Sequence, residues 1–375
     1  MIDAISLAQD LLRCPSVTPD DAGCLDLVES WLNPLGFMCH RLPFGKVDNL
    51  YARLGTASPN FCFAGHTDVV PPSDPSLWKH PPFNAVIEDG ILYGRGVVDM
   101  KGAIAAFVAA VADFLKTPSF RGSISLLLTS DEEGPAIDGT CRVVEWLQSR
   151  KERIDACLVG EPTNPERVGQ MIKIGRRGSL NACLTISGKA GHVAYPHLAK
   201  NPIPPLLAYL ADLTAAPLDE GMEGFDPSNI EITTIDVNNP TSNVIPYQAN
   251  AGFNIRFNPL HTDDSLTHFL RQRAQKITLP YDLAIRTSGE AFLCRDPDLQ
   301  KCVSEAVQSV TKMTPIFSTS GGTSDARFLK DICPTLEFGL INATAHHVDE
   351  CIAIDEITTL SHVYRKVLDE YFKDR

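Results

Sequence analysis

The sequence predicts an α/β protein, a mainly parallel mixed sheet with helices on both faces, interrupted by an inserted α+β domain. Three observations carry this. In the first half, short apolar runs at residues 60–64, 123–129 and 154–159 alternate with helical patterns near 101–116 and 139–150, the rhythm of strands joined by crossover helices. From about Gly178 the pattern changes to alternating stretches at 180–187, 229–237 and 249–256, around an apolar helix near 204–213 and turns rich in Pro, Asn and Gly. After about Ala291 the first rhythm returns, with a helix near 298–311, a strand near 335–339 and a closing helix near 357–372. The simplest architecture is a discontinuous domain of residues 1–177 and 291–375, holding an insertion of residues 178–290.

A length of 375 residues suits two domains. With 44% apolar and 21% charged residues the composition is that of a globular chain. The net charge of −13 argues against a broad nucleic-acid or anionic-membrane surface, both of which need a basic field. No apolar run reaches the roughly 18–20 residues that span a bilayer. The first residues, MIDAISLAQDLLRC, carry Asp3 and Asp10 and read as an amphipathic helix through Ile5, Ala8, Leu11 and Leu12. The 11 cysteines are scattered without a C-x-x-C pair, and several, such as Cys62 and Cys157, sit inside apolar runs. Free thiols in a reducing cytoplasm are therefore expected, and any metal site must be built from His and carboxylates.

The strand-like runs end abruptly in polar residues, and in open α/β sheets ligands bind beyond the carboxyl ends of strands. FAGHTDVV places His66 and Asp68 two apart after a strand; alone, they read as a hydrogen-bonding pair. In YGRGVVDMKG, Asp99 sits where a Gly-rich turn feeds an apolar helix; alone, it reads as a cap. TSDEEG puts Asp131, Glu132 and Glu133 directly after the most apolar strand, where adjacent acids repel unless cations compensate. LVGEPT places Glu161 after another apolar strand, and NATAHHVDE brings His346 and His347 after a late one. Independent structural explanations for all of these are hard to sustain together. Two imidazoles with three or four carboxylates suit paired divalent cations of the zinc type. Two such ions bring four positive charges, which Asp99, Glu133, Glu161 and one hydroxide would neutralise. Glu132, left over beside a ligand, is the natural general base. Asp68 would hold the second nitrogen of His66 and set its tautomer.

These motifs, in this order, resemble the metal-dependent amidohydrolases of the zinc aminoacylase and carboxypeptidase group. The stretches that carry the resemblance are FAGHTDVVPPSD, LYGRGVVDMKGAIAAF, TSDEEGPAIDGT, GEPT, GRRGSL, GHVAYPHLAKNPI, SNVIP, GGTSDARF and NATAHHVDE. The resemblance implies a zinc-peptidase-like catalytic domain and an inserted lid and dimerisation domain. It implies two Zn per subunit, with Co as a possible substitute. His66, Asp99 and Glu161 would bind one ion, and His346, Asp99 and Glu133 the other. Glu132 would act as base and then as acid. His192, in GHVAYPH, would reach into the partner subunit's active site and stabilise the oxyanion, which makes a homodimer necessary. The implied substrate is a small N-succinyl amino acid carrying three carboxylates. Arg176, Asn243, Arg256, Thr323, Ser324 and Asn342 are the contacts that match by motif, while Arg177 and Arg327 read as surface ion-pair partners. Ser242 stands where such proteins often carry a second Asn. The alternatives are another N-acyl amino-acid deacylase and a metal-binding dimer scaffold without catalysis.

Overall fold

A computed structural model describes residues 3–116 and 120–373. Residues 1–2 and 374–375, which the sequence-based boundaries include, lie outside the described residues. The chain forms two compact units. One comprises Met1–Ile174, Cys294–Ser318 and Ser324–Arg375, the other Gly175–Leu293 and Thr319–Thr323. The sequence reading put residues 319–323 with the first group. In the structure Arg176 Nη1 donates to the Gly322 carbonyl at 3.1 Å and the Thr319 hydroxyl donates to the Gly224 carbonyl, and these bonds bind the segment to the second unit.

The first unit is built on an eight-stranded mixed sheet in the order Met38–Arg41, Asn49–Leu54, Ser123–Thr129, Asn60–His66, Ala156–Val159, Thr335–Glu337, Met171–Lys173, Ile316–Ser318. Its central strands run parallel: Asn60–His66 with both its neighbours, and Thr335–Glu337 with Ala156–Val159. Every residue of Asn60–His66, Ser123–Thr129 and Ala156–Val159 is buried. That is why these strands read as continuous apolar runs rather than alternating ones. Helix Gly102–Phe114 is buried around most of its circumference. Its small residues let it pack closely, and Phe107 stacks on Phe63 at 4.3 Å between ring centroids. Tyr364, on the closing helix Ile354–Phe372, meets both rings and donates its hydroxyl to the Phe338 carbonyl at 2.6 Å. The N-terminal stretch read as amphipathic forms helix Ala4–Leu12, and its start is capped by Asp3, which accepts from the Ile5 and Ser6 amides.

The second unit is a four-stranded antiparallel sheet, Asn229–Asp236, Gln248–Phe257, Gly178–Ser187, Tyr281–Gly289, with helices Ile203–Leu213 and Asp263–Ala274. Strand Gln248–Phe257 is buried at every second residue, the alternation of a sheet covered on one face. Phe253, Ile255 and Phe257 pack in one core with Leu206, Leu210, Leu266 and Leu270.

Candidate metal centre

Parallel pairing brings three strand ends to one edge of the first unit's sheet. His66 is paired in register with Thr129, and Ala64 with Val159. The polar residues that follow Thr129 and Val159 therefore emerge beside His66. Asp99 comes from the other side, on the segment Val97–Lys101 that leads into helix Gly102–Phe114. The segment enters through Gly96 at φ +84°, where an added Cβ would lie 2.4 Å from Val69 Cγ1, so only glycine fits there.

Two groups of donor atoms result, each lying within 4.8 Å of one another: His66, Asp99, Glu161 and Asp99, Glu133, His346. His66 Nε2 is 3.0 Å from Asp99 Oδ1 and 3.7 Å from Glu161 Oε1. His346 Nε2 is 2.8 Å from Glu133 Oε1 and 3.3 Å from Asp99 Oδ2. Each group offers one imidazole nitrogen and two carboxylates, with Asp99 turning one oxygen to each. This donor set fits a pair of N/O-liganded divalent cations. His346 is the member of the His346–His347 pair whose ring reaches the acids, and it does so from a left-handed backbone at φ +63°.

Asp68 acts differently from the sequence reading. His66 Nδ1 lies 2.9 Å from the Asp68 backbone carbonyl and 3.6 Å from its carboxylate. The carboxylate instead accepts the amides of Glu132 and Glu133 at 3.2 and 3.0 Å. It thus orients the loop that carries both glutamates. Among the described residues none hydrogen-bonds the carboxylate of Glu132 itself.

The electrostatics are those of a donor set with too much negative charge. Burial works to lower the imidazolium of His66, but Asp99, Glu161 and Asp68 outweigh it and hold it well above the ordinary value. Asp99 and Glu133 raise His346 to about 10. Burial works to raise Asp99, and the two imidazoles overcome it and hold the carboxyl below its usual range. Burial pushes Glu132 up to about 8, helped by Asp325 and Glu133, and Asp68 up to about 6. The acids draw protons onto both imidazoles, where divalent cations would take the same lone pairs.

The remaining site candidates divide between the units. In the first, the Ser324 side chain is 1% exposed and its hydroxyl donates to Glu337, so it is already engaged. Asn342 is exposed, its amide bonded to the Asn164 carbonyl. In the second unit, Arg176 is buried, and Thr323 is half-buried. Arg256 is half-buried on strand Gln248–Phe257; burial and the neighbouring Arg177 hold its guanidinium below the ordinary value. His192 is exposed on the short strand Gly191–His192, paired with Val244–Ile245, and its Nδ1 accepts from the Ala194 amide. Asn243 is exposed beside it, its carbonyl accepting from Val193.

Sequence reasoning missed Arg95 and Glu350. They form a fully buried ion pair at 2.7 Å under the donor atoms. The one available signal was a charged residue held between two glycines in YGRG.

The sequence pattern of peptidase family M20/M25/M40 matches residues 62–370. A succinyl-diaminopimelate desuccinylase of Rhodospirillum centenum is 56% identical over 376 residues, covering 99% of this chain and 97% of its own. That of Maricaulis maris is 54% identical over 378 residues, covering 100% and 97%. Among solved structures, an M20 family metallo-carboxypeptidase from Sulfolobus solfataricus matches with a TM-score of 0.81 at 19% identity over 99% of both chains. A dinuclear metal-binding M20 peptidase from Bacillus subtilis matches at 0.73 and 13%, over 99% and 98%. At such identities these structures speak for the fold.

Proposed function

The chain belongs to peptidase family M20/M25/M40 and, within it, to the succinyl-diaminopimelate desuccinylases, and from that premise we propose that it hydrolyses N-succinyl-L,L-2,6-diaminopimelate to succinate and L,L-2,6-diaminopimelate. The observation that carries the reading is the pair of donor sets sharing Asp99, with the uncommitted carboxylate of Glu132 beside them. His66, Asp99 and Glu161 would hold one zinc, and Asp99, Glu133 and His346 the other, with cobalt able to replace zinc. When bound, two such cations polarise an amide carbonyl and acidify water.

The chain's own residues do the rest. Glu132 takes a proton from the attacking water and returns it to the leaving amine. Positive charge nearby favours its ionised form over the value of about 8 that burial imposes, so it starts as a base. Asp68 keeps it aimed through the two backbone amides. Arg176, Arg256, Asn243, Thr323 and Asn342 would meet the substrate's three carboxylates, while the buried Ser324 hydroxyl is engaged by Glu337. The charge of Arg177 acts on Arg256 and adds to its attraction for an anion.

The second unit would serve as lid and dimerisation domain. Its edge strand Asn229–Asp236 is exposed over its last six residues, with Ile232 and Ile235 open to solvent, a surface a second copy could extend. His192 of the partner subunit would stabilise the developing oxyanion. The proposed product is a lysine and cell-wall precursor, and a cytoplasmic location is part of this proposal. No helix among the described residues is long and apolar enough to cross a membrane.

The test is an assay of the zinc-loaded protein with N-succinyl-L,L-2,6-diaminopimelate and with N-acetylornithine, each with and without chelator. Succinate release from the first without acetate release from the second, abolished by chelator and restored by zinc, is expected. Turnover indifferent to chelator, or faster on acetylornithine, overturns the reading.

A further inference from the structure

We propose that the buried Arg95–Glu350 pair is a positioning device for one of the two cation sites, the one made by Asp99, Glu133 and His346. The inference rests on the di-cation reading above and adds a residue pair that touches neither metal nor substrate.

The two side chains are each about 1% exposed and meet at 2.7 Å. An ion pair taken fully out of water is seldom retained for stability alone, since its desolvation offsets much of its attraction. What this pair does with its remaining groups explains its presence. Arg95 Nη2 donates to the His346 carbonyl at 3.3 Å, and Nη1 to the His347 carbonyl at 3.1 Å. Glu350 accepts from the amides of Gly96 and Val98, each at 2.9 Å, and from that of Asp99 at 3.4 Å. Five backbone groups from two distant segments are thus tied through one side-chain contact. One segment ends in Asp99 and the other holds His346.

The geometry needs such a tie. His346 sits at φ +63°, a conformation that a residue with a Cβ keeps only when its surroundings enforce it. The Arg95 fork holds its carbonyl, and Trp78 covers the guanidinium at 5.1 Å from its ring centroid. Arg presents its donors in one rigid plane, so the two carbonyls and the Glu350 carboxylate fix its orientation more tightly than they would a Lys ammonium. His66 closes strand Asn60–His66 and Glu161 follows strand Ala156–Val159, so their placement comes from the sheet. The pair therefore reaches one site through both Asp99 and His346, and the other only through the Asp99 that the two share.

Chelator-stripped protein is titrated with zinc by calorimetry and melted without metal, comparing the native chain with Arg95→Met combined with Glu350→Gln. This double variant removes both charges and keeps a carbonyl for the Val98 amide. The expected result is a cooperative melt and unequal loss, the site that also depends on His346 weakened on the order of 10–100-fold more than the other. Two sites of native affinity in the folded variant overturn the inference. So does equal weakening of both, which is what a purely structural pair would give. If the double variant does not fold, Arg95→Lys, which keeps the charge and loses the fork, is judged by the same criterion. A native chain that takes up fewer than two zinc ions overturns the di-cation reading itself, an outcome distinct from any in the variants.

Discussion

Glu132 and Glu133 are neighbours in the chain, and their roles diverge because of what their carboxylates meet. Glu133 reaches His346 at 2.8 Å, whereas the Glu132 carboxylate has no hydrogen-bond partner among the described residues. Glu132→Gln should leave the donor sets intact and remove the base, so succinate release should fall by roughly 10²–10⁴-fold at unchanged metal content. Rate measurement beside metal analysis checks this; normal turnover in the variant would refute the assignment. His66, Asp99, Glu133, Glu161 and His346 were legible because each follows an apolar strand or opens a helix. Arg95 and Glu350 were not, since their work is done through backbone groups brought together only by folding. The hydroxyl of Ser324 is a similar case: the motif GGTSDARF marks it as a contact, but only the packed chain puts Glu337 against it.

Among the elements, the fully buried strands were readable as apolar runs, and helices such as Gly102–Phe114 and Thr140–Ser149 as periodic patterns. Strand Met38–Arg41 and the polar helix Asp263–Ala274 escaped, because edge or half-exposed elements carry little apolar signal; strand Asn49–Leu54 escaped although its first four residues are buried, because Asn49 and Arg53 leave only a short apolar run. Helix Cys24–Leu32 also escaped. It begins after Asp21, whose buried carboxylate accepts from the Leu25 amide and the Thr67 hydroxyl and so links the helix to the residue next to His66. Burial raises the Asp21 carboxyl above its ordinary 3.8. The folded chain then holds that proton more tightly than the unfolded chain. This contribution to stability is complete below the ordinary value and is lost as pH rises through the raised one. Asp21→Asn, which cannot ionise, should therefore gain in melting temperature relative to the native protein as pH rises from the ordinary carboxylate value of about 4 through the raised one. A pH series of thermal melts checks the sign; a gap that widens against the variant over that range contradicts it.

At the scale of the molecule, the chain divides its labour between two units, and the proposed oxyanion donor lies on the one that does not carry the donor sets. If His192 serves the partner's site, His192→Ala and Glu132→Gln should each be inactive alone and regain activity when mixed and allowed to exchange subunits. One site of each mixed dimer then has both groups. Failure of the mixture to recover, or full activity of His192→Ala by itself, removes the cross-subunit role. The sequence by itself determined the α/β class, the interruption by an α+β unit and the residue types of the centre, since hydrophobic period and strand-end chemistry are local properties. The structure brings Asp99 against both imidazoles and His346 against the acids, an arrangement the resemblance implied; only the tertiary structure decided that the Asp68 carboxylate grips the loop amides while its backbone carbonyl meets the His66 ring. It also decided that residues 319–323 pack with the second unit. Each of these depends on which distant backbone groups meet, and the burial and register that bring them together are properties of the whole fold.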